Sequence, residues 1–328
     1  MSARQDDTVP RVIFETAEEH LCRNVPRASP ASTVGEIRRS LIGQRYDCAT
    51  DVAVCEDGRP VGLLTIEGLL AAQEDALARD VMDPDPPIVS PGTDQEVAAW
   101  KAVQHGETSL AVVDDGGRFI GLIPPRRLLS VLLTEHHEDM ARLSGLLKDS
   151  LSAKVSLQEP IVRRFAHRLP WLIVGLFGVI VVADVVAAFE TALQANVMLA
   201  FFLPGIVYLA DAVGTQTETL VVRGLSVGIP IRRVVWQELL TGSLIGVGLG
   251  AASIPIVLWR WGRGDVVLIL AASLMAASFA ATLVGILLPW VLHRMGSDPA
   301  FGTGPLSTVL QDLFSILIYL EVATLVLR

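Results

Sequence analysis

Five apolar runs, each near the length that crosses a bilayer, fill the second half of this 328-residue chain and constrain its fold more than any other feature. They read as helices over 169–190, 197–221, 235–258, 265–291 and 306–327, since roughly 20 apolar residues at 1.5 Å each span a hydrocarbon core. A lipid interior offers no partner for open backbone groups, so an all-α bundle is expected there. The first 168 residues differ. They hold most of the charged side chains, and the formal net charge of −9 belongs mainly to them. That balance argues against nucleic acid as a partner and favours cations.

The opening segment MSARQDDTVPRVIFETAEEH is polar throughout, so the front half is expected to remain on the side where it is made. Arg163, Arg164, His167 and Arg168 precede the first run, and Arg223, Arg232 and Arg233 join the second to the third. The positive-inside rule assigns both stretches to the cytoplasm. The loop ETALQAN has no Lys or Arg and fits the outside, while Arg260 and Arg263 sit on the outer side in a Trp-flanked interfacial turn. Five crossings of an inner (plasma) membrane then leave the N-terminus cytoplasmic and the C-terminus outside. Cys22, Cys48 and Cys55 form no C-x-x-C pair and read as reduced, packed thiols.

Acids inside the runs carry the functional signal. Asp184, Asp211, Glu218, Asp312 and Glu321 lie at depths where a charge costs several kcal/mol unless it faces protein or water, which points to a polar pathway. Glu218, near Arg223, and Glu190, at the outer boundary, fit the headgroup level equally well. Asp312 is about seven residues into its run, roughly 10 Å deep and too short to snorkel. Asp312 and Glu321 are nine positions apart, roughly 900° at about 100° each, so they leave opposite sides of the helix. Asp312 is expected to share a hydroxyl-bearing strip with Thr308, Ser315 and Tyr319. One Asp cannot hold Mg²⁺, which keeps most of its waters and takes one or two carboxylates. A homodimer with its pore on the two-fold axis would bring two copies of Asp312 together. The second run adds Pro204, Gly205 and Gly214, followed by Thr215, Gln216 and Thr217. Gly and Pro at depth suggest irregular backbone lining a cavity, with carbonyls and amide oxygens offered to a hard cation. A proline kink with small residues for close packing is the plainer alternative.

The front half repeats itself. VPRASPASTVGEIRRSLIGQRYDCATDVAVCEDGRPVGLLTIEGLLAA and PPIVSPGTDQEVAAWKAVQHGETSLAVVDDGGRFIGLIPPRRLLSVLL both read strand, helix, strand pair, helix. The turns EDGR and DDGGR supply the positive φ of a hairpin. One α/β domain of paired units is expected.

This duplication resembles a tandem cystathionine-β-synthase (CBS) pair. Such modules often bind adenosine nucleotides through G-x-x-T-x-x-D, but here GLLTIEG ends in Gly68 and GLIPPRR puts Pro124 and Arg127 at the Thr and Asp positions, so no nucleotide is expected. The whole order resembles the MgtE family of magnesium channels and transporters. The matching pieces are DVMDP with TDQE (80–96), HHEDM (136–140), RLPWL, Phe189-Glu190, Pro204 with Gly214, Gln216 and Arg223, LLPWVLHRMGSDPA, and PLSTVLQD. The resemblance implies a pore at a dimer interface between the second and fifth helices, with Asp312 as the central magnesium ligand. It also implies closure when cytoplasmic Mg²⁺ bridges acids, for which Asp83, Asp94, Glu96, Asp114, Asp115, Glu138 and Asp139 are the candidates. The family's N-terminal acidic helical domain is not matched, Ala212 and Gly304 stand where Asn is usual, and Arg126 and Arg127 replace acids. The expected organisation is a lead-in over 1–25, the CBS pair over 26–140, a connecting plug helix over 141–168 and a transmembrane pore domain over 169–328. HHED is expected to be an acidic patch at a helix start, since adjacent histidines diverge by about 100°.

Two functions follow as expectations. One is a homodimeric Mg²⁺ channel gated by its CBS module, conducting divalent cations down their gradient. The other is a proton- or Na⁺-coupled exchanger using Asp184, Asp211 and Glu321. No Ser-His-Asp set, P-loop or H-E-x-x-H motif is present in the sequence, so an enzyme is not expected.

Overall fold

The computed structural model describes residues 16–144, 160–295, 298–300 and 303–327. It divides into two compact units, 1–136 and 137–328. Most of the segment expected to form the plug helix lies outside the described residues.

The first unit carries the two repeats. In the first, β1 (Arg27–Ala28) and α1 (Val34–Leu41) lead to β2 (Asp51–Glu56), β3 (Arg59–Thr65) and α2 (Ile66–Ala71), followed by α3 (Ala78–Val81) and β4 (Asp83–Pro84). In the second, β5 (Ile88–Val89) and α4 (Gln95–His105) lead to β6 (Leu110–Val113), β7 (Phe119–Ile123) and α5 (Pro125–Leu143). The sheets run β1-β2-β3-β4 and β5-β6-β7; the first strand of each repeat is parallel to the second and the rest are antiparallel. Thr33 and Glu36 close a reciprocal capping box on α1, and Asp94 caps α4 through the amides of Glu96 and Val97. The β2–β3 hairpin turns on Asp57 (φ 50°) and Gly58 (φ 80°), the double positive φ of a tight reverse turn.

Glycines at equivalent places in the repeats let a passing chain close each sheet. A Cβ on Gly62 would lie 2.9 Å from the Asp83 carbonyl, and one on Gly121 would strike that of Cys22. So β4 pairs with β3, and Cys22 bridges Leu122. The described part of the lead-in, residues 16–25, therefore packs with the repeats, with Ala17 buried in the core of the second. Cys22 and Cys55 pack with Val25, Ala53, Leu63 and Phe119, and burial raises both thiols above their usual pKa. The His-His-Glu-Asp stretch lies late in α5 rather than at a helix start.

In the second unit, five helices among the described residues are long and apolar enough to cross a membrane. They are α6 (Ile161–Ala188), α8 (Met198–Ser226), α9 (Ile231–Trp261), α10 (Gly264–Arg294) and α11 (Thr303–Leu327); a short α7 (Glu190–Ala195) follows α6. Each extends beyond its expected apolar run because polar residues continue the helix at one or both ends. The central helix is α10, whose buried residues recur at Val266, Ile269, Leu270, Ser273, Leu274, Ala277 and Ala281, the spacing of one wide helical face. Helix α6 is peripheral, with Leu172, Leu176, Phe177 and Ile180 exposed, as lipid or another chain would require. Tyr319 Oη donates to the Leu199 carbonyl at 2.8 Å and ties α11 to α8. Helix α8 runs unbroken through Pro204 and Gly205, so the irregular backbone expected there is absent. Pro204 sits within two turns of the start, and Gly214 serves close packing instead.

Candidate cation pathway

Helix α11 presents two polar faces. Thr303, Ser307, Gln311, Ser315, Tyr319 and Ala323 recur every four residues and are all buried inside the protomer. Offset by about 100°, Thr308 is exposed and Asp312 half-buried. The strip expected to join Asp312 with Thr308, Ser315 and Tyr319 is therefore divided: Ser315 and Tyr319 belong to the interior, and only Thr308 shares the open face. An i, i+3 step beside an i, i+4 row is enough to rotate side chains across that boundary.

On the facing helix, Asp211 is half-buried, its carboxyl within hydrogen-bonding reach of the Thr308 hydroxyl and close enough to Asp312 for the charges to repel. Asp211 Oδ1 is buried without a hydrogen-bond partner. Two carboxyls and a hydroxyl from α8 and α11 thus converge on a partly open face, an all-oxygen set of the kind hard cations take. Gln216 and Thr215 are exposed on α8, whereas Gly214 is buried, its Cα pressed against the Gln311 carboxamide.

Glu218 departs from the headgroup placement open to it. It is 2% exposed, under the hydroxyls of Ser307 and Thr303. Asp184 and Glu321 are exposed on their helices, as is Glu190 at the head of α7.

The regulatory candidates outside the five long helices do not form one cluster. Asp94 is engaged as the α4 cap, and Asp114 accepts from the amides of Gly116 and Arg118 in its turn. Asp115 is exposed, while Glu96 and Asp139 are partly buried. Asp83 hydrogen-bonds Glu107, which sequence reasoning missed. Burial, then the hydrogen bond and charge of Asp83 and the charge of Asp51, push the Glu107 carboxyl up to about 7. Asp51 is itself buried and accepts from Thr108 Oγ1 at 3.1 Å and from Ser109. In the second unit, Glu138 pairs with Arg142 at 2.7 Å, and the same guanidinium pairs with Asp298. Beside it, the Leu143 carbonyl lies where a Cβ on Gly304 would be. The end of α5 is thereby held at the start of α11. Among the described residues, no three His, Cys, Asp or Glu side chains are grouped so as to hold a metal within one chain.

Comparison with known proteins places these features. A family model described as "MgtE: Divalent cation transporter" matches residues 203–322, and a CBS domain model matches 78–134. The magnesium transporter MgtE of Thermus thermophilus is 32% identical over 303 residues, 90% of this chain and 66% of that protein. The chain belongs to the MgtE family. The MgtE of Bacillus subtilis is 28% identical over 274 residues, 82% of this chain. The present MgtE-family chain spans 66% and 59% of the lengths of these two relatives. Among solved structures, the cytosolic domain of an MgtE Mg²⁺ channel in complex with ATP is 27% identical, with a TM-score of 0.32, covering 34% of this chain and 46% of its own. The matched segment contains both Asp211 and Asp312, the two acids of the open face.

The polar residues that reasoning from sequence left out, Thr303, Ser307 and Gln311, carried a usable signal. Small or amide side chains at strict i, i+4 spacing in an apolar helix mark a packed face rather than a pathway. Arg142 and Asp298 carried none, being far apart in sequence.

Proposed function

We propose that this chain is the protomer of a homodimeric channel that conducts Mg²⁺ down its electrochemical gradient and is regulated by its repeated front unit. The observation that supports this best is the open face shared by Asp211, Thr308 and Asp312. A second copy related by a two-fold axis along α11 would double those carboxyls around one lumen. Two Asp312 side chains at hydrogen-bonding distance from a hydrated ion match Mg²⁺, which gives up its waters reluctantly and is held by few carboxylates. A monovalent ion would gain about half the attraction from the same pair. Neutral Thr308 and Gln216 would contact the hydration shell, and Asp211 would add charge at the approach. Gly214 acts by letting Gln311 and α11 close on α8.

In this reading the N-terminal unit is cytoplasmic, the C-terminus lies outside, and Mg²⁺ is both substrate and a regulatory ion. Asp83, Glu138 and Asp139 are the regulatory candidates, while Asp94 works as a helix cap. An adenosine nucleotide is not part of the mechanism: Gly68 supplies no carboxylate, and Arg127 is spent donating to the Leu21 carbonyl at 3.2 Å. The experiment is Mg²⁺ uptake into proteoliposomes with equal pH and equal Na⁺ on both sides. Uptake driven by the Mg²⁺ gradient and membrane potential alone is expected; uptake that requires a proton or Na⁺ gradient would favour exchange through Asp184, Asp211 and Glu321.

A further inference from the structure

We propose that Glu218, Thr303, Ser307 and Gln311 form a binding site for one dehydrated monovalent cation inside each protomer, on the buried face of α11. Glu218 is 2% exposed and Gln311 1%, and the Oε1 atom of each is buried without a hydrogen-bond partner. Gln311 Nε2 donates to Ser307 Oγ at 2.6 Å, and the Ser307 and Thr303 hydroxyls face the Glu218 carboxyl. The charge that acts on the Glu218 carboxyl is that of Asp211, also acidic. Hydroxyls and one amide, in whichever sense their hydrogen bonds run, add no positive charge. A buried carboxylate without one is costly by several kcal/mol, and a bound cation removes that cost.

The chemistry of the lining selects the ion. One carboxylate balances one positive charge, and the other ligands are neutral oxygens. Glu218, Thr303, Ser307 and Gln311 are each at most 2% exposed, so the site is closed to bulk water, and the helices beside it pack closely: a Cβ on Gly285 would lie 2.7 Å from the Gly214 carbonyl and 3.1 Å from the Glu218 amide. Mg²⁺, which keeps its waters, is excluded from such a site, whereas a small alkali ion sheds them more readily. Glu218 lies eight residues before the end of α8, roughly 12 Å at 1.5 Å per residue, so the ion would be held at depth. The site is separate from the open face, which begins one residue further along α11 at Thr308 and Asp312.

The test uses the full chain in detergent at fixed pH and ionic strength, with NaCl, KCl or choline chloride as the salt. The thermal midpoint is expected to rise saturably with Na⁺ or K⁺ over choline, in wild type and in Asp312→Asn alike. Glu218→Gln should weaken that response at least tenfold in apparent affinity, and Ser307→Ala, which keeps the carboxylate, severalfold. An equal response to choline, an unchanged response in Glu218→Gln, or its loss in Asp312→Asn would each overturn the proposal. The Asp312→Asn arm separates it from the Mg²⁺ reading, since loss of Mg²⁺ flux there leaves the alkali response expected intact.

Discussion

Neighbouring residues on α11 carry opposite duties: Gln311 is enclosed against Gly214, and Asp312 opens beside Asp211 and Thr308. The first is a packing contact, so Gly214→Val should overpack the α8–α11 contact and cost about 1–3 kcal/mol, read as a lower thermal midpoint of the solubilised protein. In the front unit, Glu107 gives a pH prediction. Its carboxyl is raised from the ordinary 4.5 to about 7, first by burial and then by Asp83. The folded state therefore holds this proton more tightly than the unfolded chain. The stability it contributes is full below pH 4.5 and is lost as pH rises through about 7. With allowance for solvent screening, the loss is about 1–2 kcal/mol. Pulse proteolysis of the front unit in urea should show a lower midpoint at pH 8 than at pH 5.5, and Glu107→Gln should flatten the difference. A wild-type midpoint that rises with pH would contradict the assignment.

At the level of elements, the end of α5 and the start of α11 are held together by Arg142, between Glu138 and Asp298, and by the approach of Leu143 to Gly304. Removing the guanidinium takes away its pairs with Glu138 and Asp298, both partly buried, at a cost of about 1–3 kcal/mol. Arg142→Ala should raise amide exchange through 137–143 and at the first turn of α11 while leaving β2 and β6 unchanged. Unaltered exchange at both places would show that Arg142 does not hold them.

The elements themselves were legible in the sequence to different degrees. Both repeats were readable because alternation and Asp-Gly turns are local signals, and the five runs because lipid demands length and apolarity. The division of α11 into an inner and an open face was not. It depends on which helices pack on it, and a polar residue at depth reads the same whether it meets a neighbour or water. Glu218 shows this directly: from the sequence, with Arg223 nearby, the headgroup level and the polar pathway were equally open to it, and tertiary packing buried it. The two pairs that hold distant segments, Arg142–Asp298 and Glu107–Asp83, lie outside any local pattern.

For the whole molecule, the account requires a second copy. The exposed Thr308 of one protomer should approach its mate across the lumen, so Thr308→Cys in a chain with Cys22, Cys48 and Cys55 replaced by Ser should form a dimer cross-link in membranes under mild oxidation. Leu176→Cys on the outward surface of α6 should not. The most direct measurement is Mg²⁺ flux into proteoliposomes for Asp312→Asn, a change of charge with little change of shape, on protein verified as folded and dimeric. The account predicts a fall of at least tenfold relative to wild type. Flux equal to wild type in that variant would contradict it.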